Sequence, residues 1–151
     1  TRLCVADVEN SVFLDSYLRG DRAIVSAKPS RIEGVGRPRV EPSFVPGVID
    51  CMMRIPDAAS IAAAHVLSER LFRRVGGSTG TNFMALLHIA ARMMREGVEG
   101  SLVTLICDSG DRYASTYYDP AWLAAQGMDI APLKARIESF LDTGAGLEDL
   151  F

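Results

Sequence analysis

The chain has 151 residues, 48% of them hydrophobic and 23% charged, and a formal net charge of −3 at pH 7. This length suits one domain with its own hydrophobic core, and the composition is that of an ordinary globular protein. Two classes are disfavoured: a membrane protein, because no apolar run approaches about 20 residues, and a nucleic-acid-binding protein, because the net charge is negative.

Two short strands separated by a long loop are predicted in the first third of the chain. Residues 2–6 form an apolar run closed by Asp7, and residues 52–55 form a second run, so each predicts a strand. The apolar residues 12–14 predict a further secondary-structure element only weakly. Residues 20–46 are rich in Gly, Pro, Arg and Ser without a regular pattern, which predicts a long loop of a kind that often carries function.

Helical patterns dominate the remainder. Residues 57–74 predict a helix capped by Asp57, with an inward side formed by Ile61, Ala64, Ser68 and Leu71. The clearest helix has apolar residues at helical spacing from Phe83 onward and ends at Gly97. Two more helices are predicted, at residues 120–126 and from Pro132 to Gly144.

A nearly continuous apolar run at residues 102–107 predicts a strand covered on both faces, and it ends at a polar turn. Strands that alternate with helices predict an α/β fold with a largely parallel sheet. Ligands of such sheets bind where strands end and helices begin. Two of these ends carry polar residues, at 76–82 and 108–113, and both are candidate sites.

The glycine-rich turn Gly76-Gly-Ser-Thr-Gly80 lies just before the clearest helix. Free N–H groups of a first helical turn favour an anion, and glycines allow a ligand to approach the backbone. The turn matches neither a Walker A loop nor a Rossmann fingerprint. From the residues alone, a phosphate site and a tight turn with Ser78 or Thr79 as N-cap both remain open.

Three cysteines, Cys4, Cys51 and Cys107, are far apart and match neither a zinc site nor a CxxC redox pair. Each lies in an apolar stretch, which favours small buried thiols in a reducing cytoplasm. No metal site is expected, because neither histidine has further ligands at suitable spacing. The chain opens on Thr1 instead of Met, so we expect a part of a longer protein.

Several motifs occur together and in a fixed order. They are Ile32-Glu-Gly-Val-Gly36, Phe44-Val-Pro-Gly-Val-Ile-Asp50, the glycine-rich turn, Val103-Thr-Leu-Ile-Cys-Asp-Ser-Gly-Asp-Arg-Tyr113, Ser115-Thr116 and Trp122-Leu-Ala-Ala-Gln-Gly127. In this order they resemble the C-terminal part of the cysteine synthase and cystathionine β-synthase family, pyridoxal-phosphate enzymes of fold type II. The resemblance covers residues 3–127. It implies a three-layer α/β sandwich with a mostly parallel sheet, of which residues 1–151 are the C-terminal portion.

The resemblance also implies a cofactor, pyridoxal 5'-phosphate, and a role for the glycine-rich turn. In the family, the serine that matches Ser78 hydrogen-bonds the pyridine nitrogen of the cofactor, and another loop binds the phosphate. The resemblance then implies that Gly77 and Thr79 are cofactor-binding neighbours of Ser78. For Asp108 two roles remain open: it supports the Ser78 turn from beside the cofactor, or it only caps the turn at residues 108–111. A hydroxyl partner leaves the ring nitrogen largely unprotonated, which suits elimination and replacement at the β-carbon better than transamination.

On the substrate side, the resemblance points to Gly34, Gly36 and Arg37. Residues 37–43 are longer than in typical cysteine synthases, so Arg37 and Arg39 are candidates for binding a substrate carboxylate. A solvated loop or a subunit contact remains an equal alternative. This insertion, together with Thr116-Tyr-Tyr118, is most similar to bacterial L-cysteine desulfhydrases. Cys107 stands where the family has proline, and we expect no catalytic role for it.

The family's lysine that binds the cofactor covalently has no counterpart in this sequence. Of the 16 basic residues only two are lysines, Lys28 in the long loop and Lys134 on the last helix, and neither context matches. No catalytic residue is therefore assigned in the chain. We expect the lysine in an absent N-terminal half, and the 151 residues alone to be inactive.

Three functions remain to be weighed. The leading hypothesis is β-elimination or β-replacement on L-cysteine or an O-substituted L-serine, of the cysteine desulfhydrase or cysteine synthase type, by a cytoplasmic homodimer. Cystathionine β-synthase activity is the alternative within the same family. The alternative from another class is a non-catalytic α/β module that binds an anion or a partner.

Overall fold

This computed structural model describes residues 1–147 of the chain, which contain two parallel strands and five α-helices. The chain divides between residues 57 and 58 into two units. The elements, in chain order, are β1 (Cys4–Val8), α1 (Phe13–Arg19), β2 (Cys51–Ile55), α2 (Asp57–Leu71), α3 (Gly77–Glu96), α4 (Pro120–Ala125) and α5 (Ala131–Thr143). Short 3-10 turns occur at Pro46–Val48 and Gly110–Tyr113. Length and hydropathy together leave no bilayer-spanning helix among the described residues.

The first unit contains a parallel two-stranded sheet. Cys4 pairs with Cys51 and Val8 pairs with Ile55, so the strands are in register along their whole length. Val8 and Ile55, at the two carboxyl ends, are completely buried. The predicted strands are confirmed, although β1 lies two residues later than its apolar run indicated.

The weak pattern near residue 12 is the start of a helix, α1, which ends at Gly20 with φ +67°. The Gly20 N–H donates to the Ser16 carbonyl oxygen, as is common where a glycine ends a helix. The predicted long loop is confirmed, since residues 21–45 contain no helix or strand. One antiparallel bridge between Val25 and Arg39 holds two parts of the loop together.

The second unit is helical, and α2 is buried around most of its circumference. Its completely buried residues include Ala59, Ile61, Ala62, Ala63 and Ala64. Small side chains allow close approach: a Cβ on Gly80 would overlap the Ser60 carbonyl oxygen, so α3 begins directly against the α2 backbone. The predicted inward side of α2 is confirmed up to Ser68, whereas Leu71 is 40% exposed.

The helix α3 begins six residues before the first apolar residue of its pattern. Its N-cap is Gly76, in extended conformation, and no side chain caps it. The prediction of Ser78 or Thr79 as N-cap is therefore wrong, because both lie inside the first turn. The C-terminal end was predicted correctly, since Gly97 at φ +64° terminates the helix.

The apolar run at residues 102–107 is not a strand in this structure. Val103 is 92% exposed and Leu105 is 71% exposed, so the prediction of a strand covered on both faces is wrong for this chain. A strand requires a neighbour for its N–H and C=O groups, and the two described strands pair with each other. The expectation of buried thiols also fails, because Cys107 is exposed and Cys4 and Cys51 are half-buried.

Candidate functional site

Ser78 lies in the first turn of α3, where backbone N–H groups have no partner within the helix. Its side chain is half-buried, and its hydroxyl has no hydrogen-bond partner among residues 1–147. A serine hydroxyl can donate one hydrogen bond and accept others. Ser78 is therefore a neutral polar group available to a ligand at the positive end of a 20-residue helix.

Thr79, the neighbouring hydroxyl, is already used inside the protein. Its side chain is completely buried, and its Oγ1 accepts a 2.9 Å hydrogen bond from the Cys107 N–H. Thr79 therefore attaches the exposed segment 101–107 to the start of α3. Sequence reasoning predicted Thr79 as a cofactor-binding neighbour of Ser78 and missed this difference in burial.

Two glycines of the turn are required by close packing. A Cβ on Gly76 would overlap the Asp108 carboxylate, and a Cβ on Gly80 would overlap the backbone of α2. Gly77 is buried as well. The glycines of the turn therefore pack their backbone closely against Asp108 and α2. Within this turn, Ser78 carries the side-chain donor that remains free.

Asp108 contacts the turn through its backbone and its side chain. Its carbonyl oxygen accepts a 3.0 Å hydrogen bond from the Gly76 N–H, and its Oδ1 lies buried against Gly76 without a partner in the described chain. Its Oδ2 accepts a 2.7 Å hydrogen bond from the Tyr113 hydroxyl. The predicted contact between Asp108 and the Ser78 turn is thus present in the structure.

A second polar network holds the residue before the turn, Val75. The Val75 N–H donates to Ser68 Oγ at 3.0 Å, and the Tyr118 hydroxyl donates to the Val75 carbonyl oxygen at 2.7 Å. Burial raises the pKa of Tyr118, so the phenol stays protonated at neutral pH. Sequence reasoning predicted only an inward position for Ser68 and no role in the site for Tyr118.

Aromatic contacts fix the Tyr118 ring. The His65 ring stacks on it at 4.5 Å between centroids, and the Arg74 guanidinium carbon lies 5.2 Å from the ring centre. His65 Nε2 lies 2.7 Å from the Tyr117 carbonyl oxygen. Burial lowers the pKa of His65, so its imidazole is neutral at pH 7 and Nε2 is the nitrogen that donates this hydrogen bond.

An open depression of about 540 Å³ lies beside the turn in the second unit. Ser78 is not part of its lining, so the depression is separate from the free hydroxyl. Its wall combines apolar, cationic and acidic groups: Phe72, Arg73, Arg74, Ile106, Cys107, Asp108, Ser109 and Asp111.

The predicted substrate-side residues lie in the first unit, next to the end of β1. Gly36 has φ +78°, and a Cβ there would lie 2.8 Å from Ser11 Cβ. The backbone of Arg37 also binds residues 11 and 12. Its carbonyl oxygen accepts from the Val12 N–H at 3.0 Å, and its N–H donates to Ser11 Oγ at 3.3 Å. Gly34 has φ +82° and open space around it. The Arg37 side chain is exposed.

Arg31, five residues before Gly36, connects the long loop to the ends of both strands. Its Nη2 lies 2.7 Å from Glu9 Oε2, just after β1, and its Nε lies 2.8 Å from Asp57 Oδ2, just after β2. The Asp57 side chain is completely buried, so its charge requires this partner. Sequence reasoning predicted Asp57 only as a helix cap and missed Arg31 altogether.

The predicted site residues therefore form two clusters. The cluster in the second unit contains Ser78, Gly77, Thr79 and Asp108, and the cluster in the first unit contains Gly34, Gly36 and Arg37. The two lysines belong to neither cluster. Lys134 Nζ forms a 2.7 Å ion pair with Glu69, and Lys28 is exposed in the long loop. Within residues 1–147 no three His, Cys, Asp or Glu side chains are grouped as metal ligands.

No family model matches the chain. Curated relatives do: it is 57% identical to L-cysteine desulfhydrase Cds1 of Mycobacterium tuberculosis over 91% of its length, and 28% identical to cysteine synthase 1 of Emericella nidulans over 82%. A crystal structure of a mutant O-ureido-L-serine synthase bound to O-ureido-L-serine is similar in fold, with a TM-score of 0.60 and 23% identity over 96% of the chain.

The matched proteins are much longer than this chain, which spans 38% of the desulfhydrase, 33% of the cysteine synthase and 40% of the O-ureido-L-serine synthase. The parallel strands and the mixed α/β order agree with the fold of the solved structure. The chain belongs to the cysteine synthase family of fold type II pyridoxal-phosphate enzymes.

Proposed function

We propose that the chain is the cofactor-facing part of a pyridoxal-phosphate enzyme that acts at the β-carbon of L-cysteine or an O-substituted L-serine. The observation that carries this proposal is the free Ser78 hydroxyl at the start of α3, in a turn whose other hydroxyl is buried and occupied. The 57% identity to an L-cysteine desulfhydrase favours elimination, with sulfide, pyruvate and ammonia as products.

The residues around Ser78 fit a pyridine ring. Ser78 offers an uncharged donor with no competing partner among residues 1–147, and Gly76 and Gly77 add no side chain beside it. The cofactor, when bound, supplies an electron sink for bond breaking at the substrate. Ser78 would donate a hydrogen bond to the ring nitrogen and so orient the ring without protonating it.

In the first unit, the Gly34–Arg37 segment is proposed to face the substrate. The Arg37 guanidinium is exposed and donates to the Gly36 carbonyl oxygen at 2.8 Å, while its backbone is held by Ser11 and Val12. A guanidinium suits a substrate carboxylate because it can bind both oxygens at once. Arg39 is the weaker candidate, since its Nε already lies 3.2 Å from Glu41.

The proposal requires polypeptide in addition to this chain, which must supply the lysine that binds the cofactor covalently. Two observations support it. The curated relatives are more than twice as long, and the exposed side chains of Val103, Leu105 and Ile106 form an apolar surface of a kind that further polypeptide covers. A cytoplasmic homodimer is part of the proposal.

The test is kinetic and spectroscopic and uses the full-length enzyme. A visible absorbance band from bound cofactor is expected, together with sulfide and pyruvate release from L-cysteine. Removal of the hydroxyl in Ser78→Ala should lower kcat/KM, with Ser101→Ala on the exposed segment as the control. Unchanged kinetics in Ser78→Ala would contradict the role of this hydroxyl.

Product analysis separates the remaining functions. Cysteine formed from O-acetylserine and sulfide indicates a synthase, and cystathionine formed with homocysteine indicates a cystathionine β-synthase. A purified full-length protein without a cofactor band would instead favour the non-catalytic module.

A further inference from the structure

Both backbone polar groups of Val75 are bound by side chains from outside the glycine-rich turn. Its N–H donates to Ser68 Oγ at 3.0 Å, and its carbonyl oxygen accepts from the Tyr118 hydroxyl at 2.7 Å. The two side chains also contact each other, with 2.7 Å between Ser68 Oγ and the Tyr118 oxygen. The three hydrogen bonds form a closed ring around one residue.

The directions of three hydrogen bonds are given by their donors. The Val75 N–H donates to Ser68 Oγ, the Ser68 hydroxyl donates to the Ala64 carbonyl oxygen at 2.6 Å, and the Tyr118 hydroxyl donates to the Val75 carbonyl oxygen. The 2.7 Å contact between the Ser68 and Tyr118 oxygens closes the ring. Both polar groups of Val75 are therefore satisfied by side chains that are themselves held in place.

The ring lies in a part of the second unit that has little exposure. Val75 is 1% exposed and Ser68 is 8% exposed. Tyr118 is half-buried and is held by the stacked His65 ring. A buried backbone group without a partner is unfavourable, so loss of either hydroxyl would leave Val75 with an unmet hydrogen bond.

The position of Val75 determines how the chain enters α3. The next two residues are Gly76 and Gly77, and glycine imposes little restriction on the backbone. The backbone geometry of the two glycines must therefore be set by neighbouring residues. The Asp108 carbonyl oxygen accepts from the Gly76 N–H, and the hydrogen bonds from Ser68 and Tyr118 hold Val75, the residue before the glycines. Ser78 follows directly, three residues after Val75.

We infer that Ser68 and Tyr118 are positioning residues, which hold Val75 so that the Ser78 hydroxyl is aimed at the ligand of the glycine-rich turn. The inference rests on the proposed function, because it takes the ligand to be the cofactor ring. It extends that function by two residues that do not touch the ligand themselves. Tyr118→Phe is the natural probe, since it keeps the stacked ring and removes only the hydroxyl.

The experiment is a double-mutant cycle in the full-length enzyme, with Tyr118→Phe, Ser78→Ala and the double variant. Tyr118→Phe should lower kcat about fivefold, the effect of one hydrogen bond of ordinary strength, with little change in KM for the amino-acid substrate. The same substitution should have almost no effect in the Ser78→Ala background, because it acts through Ser78. Tyr17→Phe in the first unit, which loses only a 3.4 Å hydrogen bond to Ile49, is the matched control.

Two further readouts do not depend on activity. The dissociation constant of pyridoxal 5'-phosphate, measured by fluorescence, should rise in Tyr118→Phe and not in Tyr17→Phe. Amide hydrogen exchange of residues 75–79 in the cofactor-free enzyme should become faster in Tyr118→Phe, whereas exchange in α5 should not change.

The outcomes separate the two proposals. If Ser78→Ala leaves kcat and cofactor affinity unchanged, the proposed function fails and this inference fails with it. If Ser78→Ala impairs both while Tyr118→Phe has no effect, or has its full effect in the Ser78→Ala background as well, only the positioning role is overturned.

Discussion

The Thr79 hydroxyl accepts a 2.9 Å hydrogen bond from the Cys107 N–H, and this contact attaches an exposed apolar segment to the buried start of α3. Thr79 is completely buried, so the segment is tied to one of the most enclosed positions of the second unit. The residue next to the proposed cofactor contact therefore has an internal structural role, while Ser78 remains available.

We expect Thr79→Val to lower the free energy of unfolding by about 1–2 kcal/mol. Valine keeps the shape of the side chain and removes the acceptor, so the Cys107 N–H loses its partner. Denaturant unfolding of the full-length enzyme measures the difference. Thr79→Ser keeps the hydroxyl and is the control; equal stability of the valine variant and the wild type would show that this hydrogen bond contributes nothing.

The pair formed by Arg31 and Asp57 should be important for stability in a pH-dependent way. Arg31→Met would leave the buried Asp57 carboxylate without its cation, and we expect a loss of about 2–3 kcal/mol at pH 7. Arg39→Met breaks an exposed pair with Glu41 and should cost about 0.5 kcal/mol or less.

The sign of the pH effect follows from Asp57. Burial raises the pKa of Asp57 above its ordinary value of 3.8, although the Arg31 hydrogen bond opposes this change. A carboxyl group with a raised pKa binds its proton more tightly in the folded state, so its contribution to stability is greatest at low pH and is lost as the pH rises through the raised pKa. The cost of Arg31→Met should therefore be smaller at pH 4 than at pH 7. Urea unfolding at both values tests this, and an equal cost at both would contradict it.

His65 predicts a second pH dependence, of opposite direction. Burial lowers its pKa, and this effect outweighs the Tyr117 carbonyl, which raises it. A histidine with a lowered pKa binds its proton less tightly in the folded state, so stability should fall as the pH drops from about 6.5 through the lowered pKa. His65→Gln removes the titrating group and should make the loss of stability between pH 7 and pH 5 smaller.

Burial also lowers the pKa of His88, so part of this loss should persist in His65→Gln and disappear in the double variant with His88→Gln. The midpoint of urea unfolding, followed across this pH range, measures both contributions. A profile unchanged by His65→Gln would mean that the pKa of His65 is the same in the folded and the unfolded protein.

The local elements could be predicted from sequence because their causes are local. Gly97 and Gly144 each end a helix in the left-handed conformation. The apolar spacing from Phe83 predicted the helix α3 but not its buried face, since Met94 is 61% exposed and Met84, outside the pattern, is completely buried. The start of α3 was not predictable in this way, because Gly76 is its N-cap for a reason that lies 32 residues further on, in the space occupied by Asp108.

The remaining differences have non-local causes too. Residues 102–107 have the composition of a doubly covered strand, but a strand also requires partners, and none is described within this chain. In the candidate site, Ser78 was identified by resemblance, whereas Arg31, Ser68 and Tyr118 were missed. Each of these three side chains acts by bridging segments far apart in sequence, and no spacing rule detects such a bridge.

The contact between residues 74–76 and 108–110 has a consequence for protein engineering. Gly110 faces Val75 so closely that a Cβ there would lie 2.5 Å from its carbonyl oxygen, and Gly76 has no space for a side chain either. Saturation libraries at these two glycines should therefore yield mostly misfolded clones. Adjusting the angle of the Ser78 hydroxyl by directed evolution must instead begin from Ser68 and Tyr118, whose side chains hold Val75 from outside the turn.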